Sequence, residues 1–197
     1  MSATYVLASG NKGKLAEFNA LFNDLSIKVI PQAEYDIDDA EETGSTFVEN
    51  AIIKARHASS KCYLPALADD SGLVVPALDG KPGIYSARFA GTHGDNAANN
   101  KKLLKEMVGK QNRNAFFICV LVLMRSADDP SPLICQAKWH GEIATGLSGT
   151  QGFGYDPLFY LPSENCTAAE LDKSVKNAIS HRAKALKQLL SQLPDWK

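Results

Sequence analysis

The chain has 197 residues, 21 Lys and Arg against 22 Asp and Glu, and a formal net charge of -1. At 45% hydrophobic and 22% charged it has the make-up of a folded globular protein, which excludes a disordered, fibrous or strongly basic polymer-binding chain. The length suits one domain, and the longest apolar run, Ala115 to Met124, falls far short of the ~20 residues a membrane helix needs.

The first predicted strand is Thr4 to Ala8, followed by a loop, Ser9 to Lys14. Leu15, Phe18, Leu21, Phe22 and Leu25 recur at helical spacing, so a helix is predicted over Lys14 to Asp24, and Ile27 to Ile30 reads as a second strand. Glu34 to Glu42 is an acidic loop. Thr46 and Glu49 have capping-box spacing, and Val48, Ala51, Ile52, Ala55 and Ala58 form the apolar face of the helix they open. Strands are predicted at Pro65 to Ala68 and Leu73 to Leu78, on either side of Asp69-Asp70-Ser71-Gly72. Gly80 to Gly94 reads as a long loop. Asp95 caps a helix that Gly109 stops.

Ala115 to Met124 and Leu133 to Trp139 read as an antiparallel pair joined at Asp128-Asp129-Pro130, the second strand with one wet face. Gly146 to Pro162 is a second glycine-rich loop region. Val175, Ile179, Arg182, Leu186, Leu189 and Leu193 mark one long C-terminal helix. The fold class is α/β with a mixed, twisted central sheet. Cys62, Cys119, Cys135 and Cys166 form no C-x-x-C pair, so they read as buried thiols of a reducing cytosol, in a chain without a signal-peptide layout.

Five features bear on chemistry. The Ser9 to Lys14 loop follows a strand and opens a helix, where free N–H groups favour an anion and Lys12 and Lys14 add charge. It is not a Walker loop, which needs Gly in place of Ala8 and Ser or Thr in place of Leu15. A plain turn with solvated lysines fits the same residues. Glu34, Asp36, Asp38, Asp39, Glu41 and Glu42 crowd carboxylates that suit either solvent or a hard cation such as Mg2+. Asp69-Asp70 ends an apolar strand, where one carboxylate can serve a metal or accept a proton; Asp-Ser-Gly is equally a turn sequence.

In Gly152-Phe153-Gly154-Tyr155-Asp156-Pro157, two glycines flank a ring that either stacks on a planar ligand or packs in the core. The C-terminal helix carries Lys173, Lys176, Arg182, Lys184 and Lys187 without an acid between them, and His181 and Arg182 point about 100° apart, so one faces inward. Together these supply the parts a nucleoside triphosphate needs: an anion cradle, a divalent-metal site, a proton acceptor and a stacking ring.

The residues resemble the inosine triphosphatase family, which clears non-standard purine nucleoside triphosphates, and its bacterial members above all. The likeness runs through Ala8-Ser9-Gly10-Asn11-Lys12-Gly13-Lys14, Glu41-Glu42-Thr43-Gly44, Thr46-Phe47, Glu49-Asn50-Ala51, Lys54-Ala55, Asp69-Asp70-Ser71-Gly72-Leu73, Pro82 to Arg88, Gly152 to Pro157 and Ser180-His181-Arg182. The resemblance implies Mg2+-dependent hydrolysis of ITP, dITP and XTP to the monophosphate and pyrophosphate. It further implies a single catalytic domain over residues 1–197, in two lobes with the site in the cleft, as a cytoplasmic homodimer without nucleic-acid or membrane partners. By resemblance, Ser9, Gly10, Asn11, Lys12, Gly13 and Lys14 hold phosphate. Glu41 and Asp70 serve the metal, with Asp70 the base. Lys54, Ser71 and Lys176 contact the nucleotide. Phe153, Gly154, Tyr155 and Asp156, with His181 and Arg182, line the base pocket. Two other readings remain from the residues: a pyrophosphatase for other modified nucleotides, as in the Maf family, and a non-catalytic nucleotide-binding module.

The near-zero net charge then reads as cancellation, with acids gathered at Glu34 to Glu42 and bases at Lys173 to Lys187.

Overall fold

The computed structural model describes residues 3–22 and 27–195. Asn23 and Asp24 of the first predicted helix and Leu25 just beyond it lie outside them, as do the side chains of Lys12, Leu21 and Phe22. The strands are β1 (Ala3–Ala8), β2 (Ile27–Pro31), β3 (Ala66–Val74), β4 (Asn114–Met124), β5 (Leu133–Ile143), β6 (Phe159–Leu161) and β7 (Cys166–Thr167). The helices are α1 (Lys12–Phe22), α2 (Phe47–Cys62), α3 (Asn96–Glu106), α4 (Lys173–Ile179) and α5 (His181–Gln192). One seven-stranded sheet has the order β2-β1-β3-β4-β5-β6-β7. β1 pairs parallel with β2 and β3, whereas β6 pairs antiparallel with β5 and β7. The sheet is mixed, as expected.

By its contacts the chain divides into two compact units. The first comprises Met1–Asp70, Cys119–Ala137 and Arg182–Lys197, the second Ser71–Ile118 and Lys138–His181. In the first unit, strand periodicity sorts the core onto two faces. Leu7, Leu67, Cys119, Leu121 and Leu123 pack with Phe18 of α1 and Ala185, Leu186 and Leu189 of α5. Val6, Ala8, Ala66, Ala68, Val120, Val122 and Met124 pack with Ala51, Ala55 and Ala58 of α2. Three alanines at helical spacing give α2 a smooth face that can lie close to the sheet. The second unit has its own core, which includes Leu73, Leu103, Met107, Phe117, Trp139, Tyr155 and Phe159.

Local signals formed as the sequence predicts at several points. Thr46 Oγ1 accepts from Glu49 N at 3.2 Å while Glu49 Oε2 accepts from Ser45 N at 2.8 Å, a capping box. Asp95 caps α3 by accepting from Ala98 N at 2.9 Å, and Gly109 has φ +75. On β5, Leu133, Cys135, Ala137 and Trp139 are buried, while Ile134, Gln136, Lys138 and His140 are exposed.

Four expectations need correction. Asp69-Asp70-Ser71-Gly72 is no turn between strands but the middle of β3, which lies between β1 and β4 in the sheet. The strand stops at Val74, and short 3-10 turns at Pro76–Leu78 and Gly83–Arg88 occupy much of what read as strand and loop. The C-terminal helix is two helices: Ser180 adopts φ -67 and ψ 163 and restarts the chain at His181, as serine before a helix readily does. Of the four cysteines, Cys119 and Cys135 are buried, but Cys62 and Cys166 are half-buried. No helix among the described residues is long and apolar enough to cross a membrane.

The turn between β4 and β5 is closed by Asp129. Its Oδ1 accepts from Arg125 Nη2 at 2.8 Å and from Ser131 N at 3.0 Å, and its Oδ2 accepts from Arg125 N and Nε, each at 3.0 Å. The Arg125 guanidinium therefore holds the Asp129 carboxyl well below the usual carboxylate range. A carboxyl lowered in the folded state stabilises above its unfolded value of about 3.9, and that contribution drains away as pH falls towards the folded value. Asp129→Asn is expected to lower Tm at pH 7, with the gap to wild type shrinking below about pH 4. A gap unchanged at acid pH in paired thermal melts would contradict this.

Candidate active site

The site residues of the first unit gather around Asp69 and Asp70. As neighbours on a strand they point to opposite faces. Asp69 lies on the Leu67 face with α1 and α5, and Asp70 on the Ala68 face with α2. Lys14 Nζ lies 2.5 Å from Asp69 Oδ1. Arg182 Nε and Cys119 Sγ donate to Asp69 Oδ2, each at 3.1 Å. On the other face, Lys54 Nζ bridges Asp70 Oδ1 and Glu42 Oε1, each at 3.1 Å.

The two carboxyls are tuned in opposite senses. Burial would raise Asp69, but Lys14 and then Arg182 outweigh it and hold the group well below the ordinary range. Burial pushes Asp70 up, and Lys54 and Lys14 only partly offset it. Asp70 Oδ2 is buried with no hydrogen-bond partner. An orphaned buried carboxylate oxygen beside a second carboxylate, Glu42, suits a hard divalent cation, which takes oxygen ligands and leaves positions for substrate phosphate. Among the described residues no three His, Cys, Asp or Glu side chains converge as a preformed metal cluster. Glu41, the expected metal ligand, is exposed on its loop, and its neighbour Glu42 is the one joined to Asp70 through Lys54.

The anion loop is shorter than predicted, because α1 already starts at Lys12. Asn11 Oδ1 accepts from Lys14 N at 3.0 Å and Ser9 Oγ from Asn11 N at 3.3 Å, so Lys12, Gly13 and Lys14 form the first turn, where free N–H groups collect. The expectation that Lys12 holds phosphate falls on a side chain outside the described residues. A Cβ on Gly10 would come within 2.8 Å of Asp39 Oδ2, so any larger residue there would make the exposed Asp39 side chain turn aside.

In the second unit, Asp156 is buried and its Oδ2 accepts from Phe153 N at 2.8 Å and Lys176 Nζ at 2.7 Å. Lys176 Nζ sits 5.2 Å from the centroid of the half-buried Phe153 ring. Gly152 and Gly154 have φ +74 and +65, which turn this loop sharply. Tyr155 is core: its ring packs with Phe159 and Leu158, and its hydroxyl donates to Ser86 O at 2.8 Å. The His181 ring stacks on Phe117 at 4.9 Å and 14° and lies 6.2 Å from Trp139. Ser71 is half-buried in β3. Sequence spacing predicted one of His181 and Arg182 inward; both are buried, His181 in the second unit and Arg182 in the first.

The model of the Ham1 family matches residues 5–192. The chain belongs to the Ham1 family. A dITP/XTP pyrophosphatase of Idiomarina loihiensis is 54% identical over 96% of this chain and 97% of its own length. One from Coxiella burnetii is 55% identical, covering 96% of both chains. The solved Ham1 structure from Coxiella burnetii superposes with a TM-score of 0.91 at 54% identity, over 98% of this chain and 99% of that one. The Ham1 protein of Staphylococcus aureus gives 0.87 at 42% identity, over 98% and 100%. The resemblance drawn from the motifs is borne out over nearly the whole chain.

Sequence reasoning missed Glu17 and Cys119 in the first unit, and Asn100 and the aromatic bed of His181 in the second. Glu17 pairs with Arg182, and Asn100 Nδ2 donates to Gly154 O at 2.9 Å. None carries a local motif; each acts through a contact distant in sequence. A Cβ on Gly152 would lie 2.1 Å from Asp156 Oδ2, whereas one on Gly154 meets nothing within 4 Å. Both substitutions bear the left-handed backbone cost of about 1–2 kcal/mol, but only Gly152→Ala also strikes the Asp156 carboxylate. Gly152→Ala is expected to destabilise by about 1–3 kcal/mol more than Gly154→Ala in denaturant unfolding. Equal losses would show that the contact is not constraining.

Proposed function

We propose that this chain is a nucleoside triphosphate pyrophosphohydrolase that converts ITP, dITP and XTP to the monophosphate and pyrophosphate with Mg2+. The observation that carries the reading is the opposite fate of two adjacent carboxylates: Asp69 saturated by cations, Asp70 buried with one oxygen unpartnered. Relatives more than half identical across nearly the whole chain bear the name dITP/XTP pyrophosphatase, which supports the same substrate class here.

Asp70 and an acidic-loop carboxylate, Glu42 or Glu41, would hold the cation. When bound, Mg2+ supplies charge neutralisation for the leaving pyrophosphate and makes water more acidic. Asp70 accepts the proton of the attacking water. Lys54, raised by Asp70 and Glu42 against the lowering effect of burial, stays charged and stabilises negative charge that grows on the phosphates. The first turn of α1, with Ser9, Gly10, Asn11, Gly13 and Lys14, receives phosphate oxygens.

Base selection falls to the second group. Phe153 offers a face for a purine, and Lys176 and His181 offer donors to a 6-keto oxygen. A 6-amino group leaves such donors unpaired, a mismatch able to reach ~10⁴-fold discrimination. Following the resemblance, the enzyme works in the cytoplasm as a homodimer.

The test is a panel of ITP, XTP, dITP, ATP, GTP and dUTP with Mg2+, reading pyrophosphate and orthophosphate separately. Pyrophosphate is expected from the first three and little from ATP or GTP. Asp70→Asn is expected to lower kcat by at least about 100-fold while retaining nucleotide binding. Orthophosphate as the direct product, or full activity in Asp70→Asn, would overturn the reading. Preference for modified pyrimidine triphosphates would favour a Maf-like role, and no turnover at all a binding module.

A further inference from the structure

We propose that Asp69 is a positioning residue for the triphosphate: it anchors the Lys14 ammonium within a charge-balanced quartet of Lys14, Asp69, Arg182 and Glu17, and takes no part in metal binding or proton transfer. The inference rests on the pyrophosphohydrolase reading and adds a division of labour between its two adjacent aspartates.

All four residues lie in the first unit. Asp69 is fully buried, and both of its oxygens are engaged, Oδ1 by Lys14 and Oδ2 by Arg182 and Cys119. Arg182 in turn pairs with Glu17, one turn along α1 from Lys14. Two cations and two anions therefore meet here and tie the start of α1 and the start of α5 to β3. A metal ion at Asp69 would have to displace Lys14 or Arg182, whereas Asp70 Oδ2 is buried without a hydrogen-bond partner.

Stability does not explain such a quartet. Buried ion pairs recover their desolvation cost poorly, and apolar residues of similar shape often serve as well. What the quartet does provide is a fixed lysine. Lys14 has a long flexible side chain, and its backbone is already set by Asn11. With Asp69 holding its far end, the ammonium is placed before substrate arrives. An ammonium has three donors, so one can stay on Asp69 while two turn to phosphate oxygens. The cost of ordering the side chain is then met on folding, not on binding. Arg182, whose guanidinium meets Asp69 and Glu17, acts in this role through Asp69.

The test uses the full-length chain and the Asp69→Asn variant, which keeps the shape and removes the charge. KM for ITP is expected to rise about tenfold with kcat changed less than about threefold, and the Mg2+ concentration for half-activation is expected to stay put. Inorganic triphosphate binding without metal, followed by calorimetry, is expected to weaken by a similar factor. In a double-mutant cycle, Lys14→Met with Asp69→Asn should be no worse than Lys14→Met alone. Should Asp69→Asn fail to fold in thermal melts, Glu17→Gln loosens the quartet from its edge, and the same rise in KM is expected on a smaller scale. A collapse of kcat with KM retained, a shifted Mg2+ requirement, or additive losses in the cycle would overturn the proposal. If wild type hydrolyses none of the nucleotides, the enzymatic reading fails, while the triphosphate-binding cycle still decides whether Asp69 sets Lys14.

Discussion

Two carboxylates that adjoin in sequence cannot share a face on a β-strand, and the arrangement of the first unit follows from that constraint. β3 carries Asp69 towards α1 and α5 and Asp70 towards α2. Each face must answer a buried charge with cations of its own: Lys14 and Arg182 on one side, Lys54 on the other. Because the cations differ in number and placement, the carboxyls are pushed apart in acidity, Asp69 down and Asp70 up. Oppositely tuned neighbours are how one scaffold assigns acid and base roles. Here Asp69 is engaged at both oxygens, whereas Asp70 Oδ2 is buried without a hydrogen-bond partner.

The second unit shows the same economy with a single carboxylate. Asp156 closes its own loop through Phe153 N and fixes Lys176. A small displacement of that carboxylate would move both a ring face and a cation, which is why the glycine beside it is so tightly constrained. Tyr155 and His181 are held by core aromatics and a backbone carbonyl, so the loop residues rest on packed support.

Much of this was legible in the residues. Apolar periodicity placed α1, α2, β1, β4 and β5, and the capping signals at Thr46 and Asp95 formed as their spacing required. The order of motifs identified the family. What failed were places where tertiary contacts overrule local preference. Asp-Asp-Ser-Gly is a turn sequence by composition, and here it is extended within β3, an interior strand between β1 and β4, with cations meeting its two carboxylates. The break at Ser180 interrupts an apolar pattern that runs on undisturbed from Val175 to Leu193. Glu17 and Cys119 look like an ordinary surface acid and a core thiol until Arg182, far along the chain, is brought beside them. The resemblance assigns Glu41 to the metal beside Asp70, and the carboxylate of that loop that meets Lys54 is its neighbour Glu42.

In the proposed reaction water attacks the α-phosphorus and pyrophosphate leaves as a unit. Hydrolysis of ITP in heavy-oxygen water, followed by mass spectrometry of the separated products, tests that most directly. The label is predicted in inosine monophosphate alone. Label in pyrophosphate or in orthophosphate would place the attack elsewhere on the chain of phosphates and contradict it.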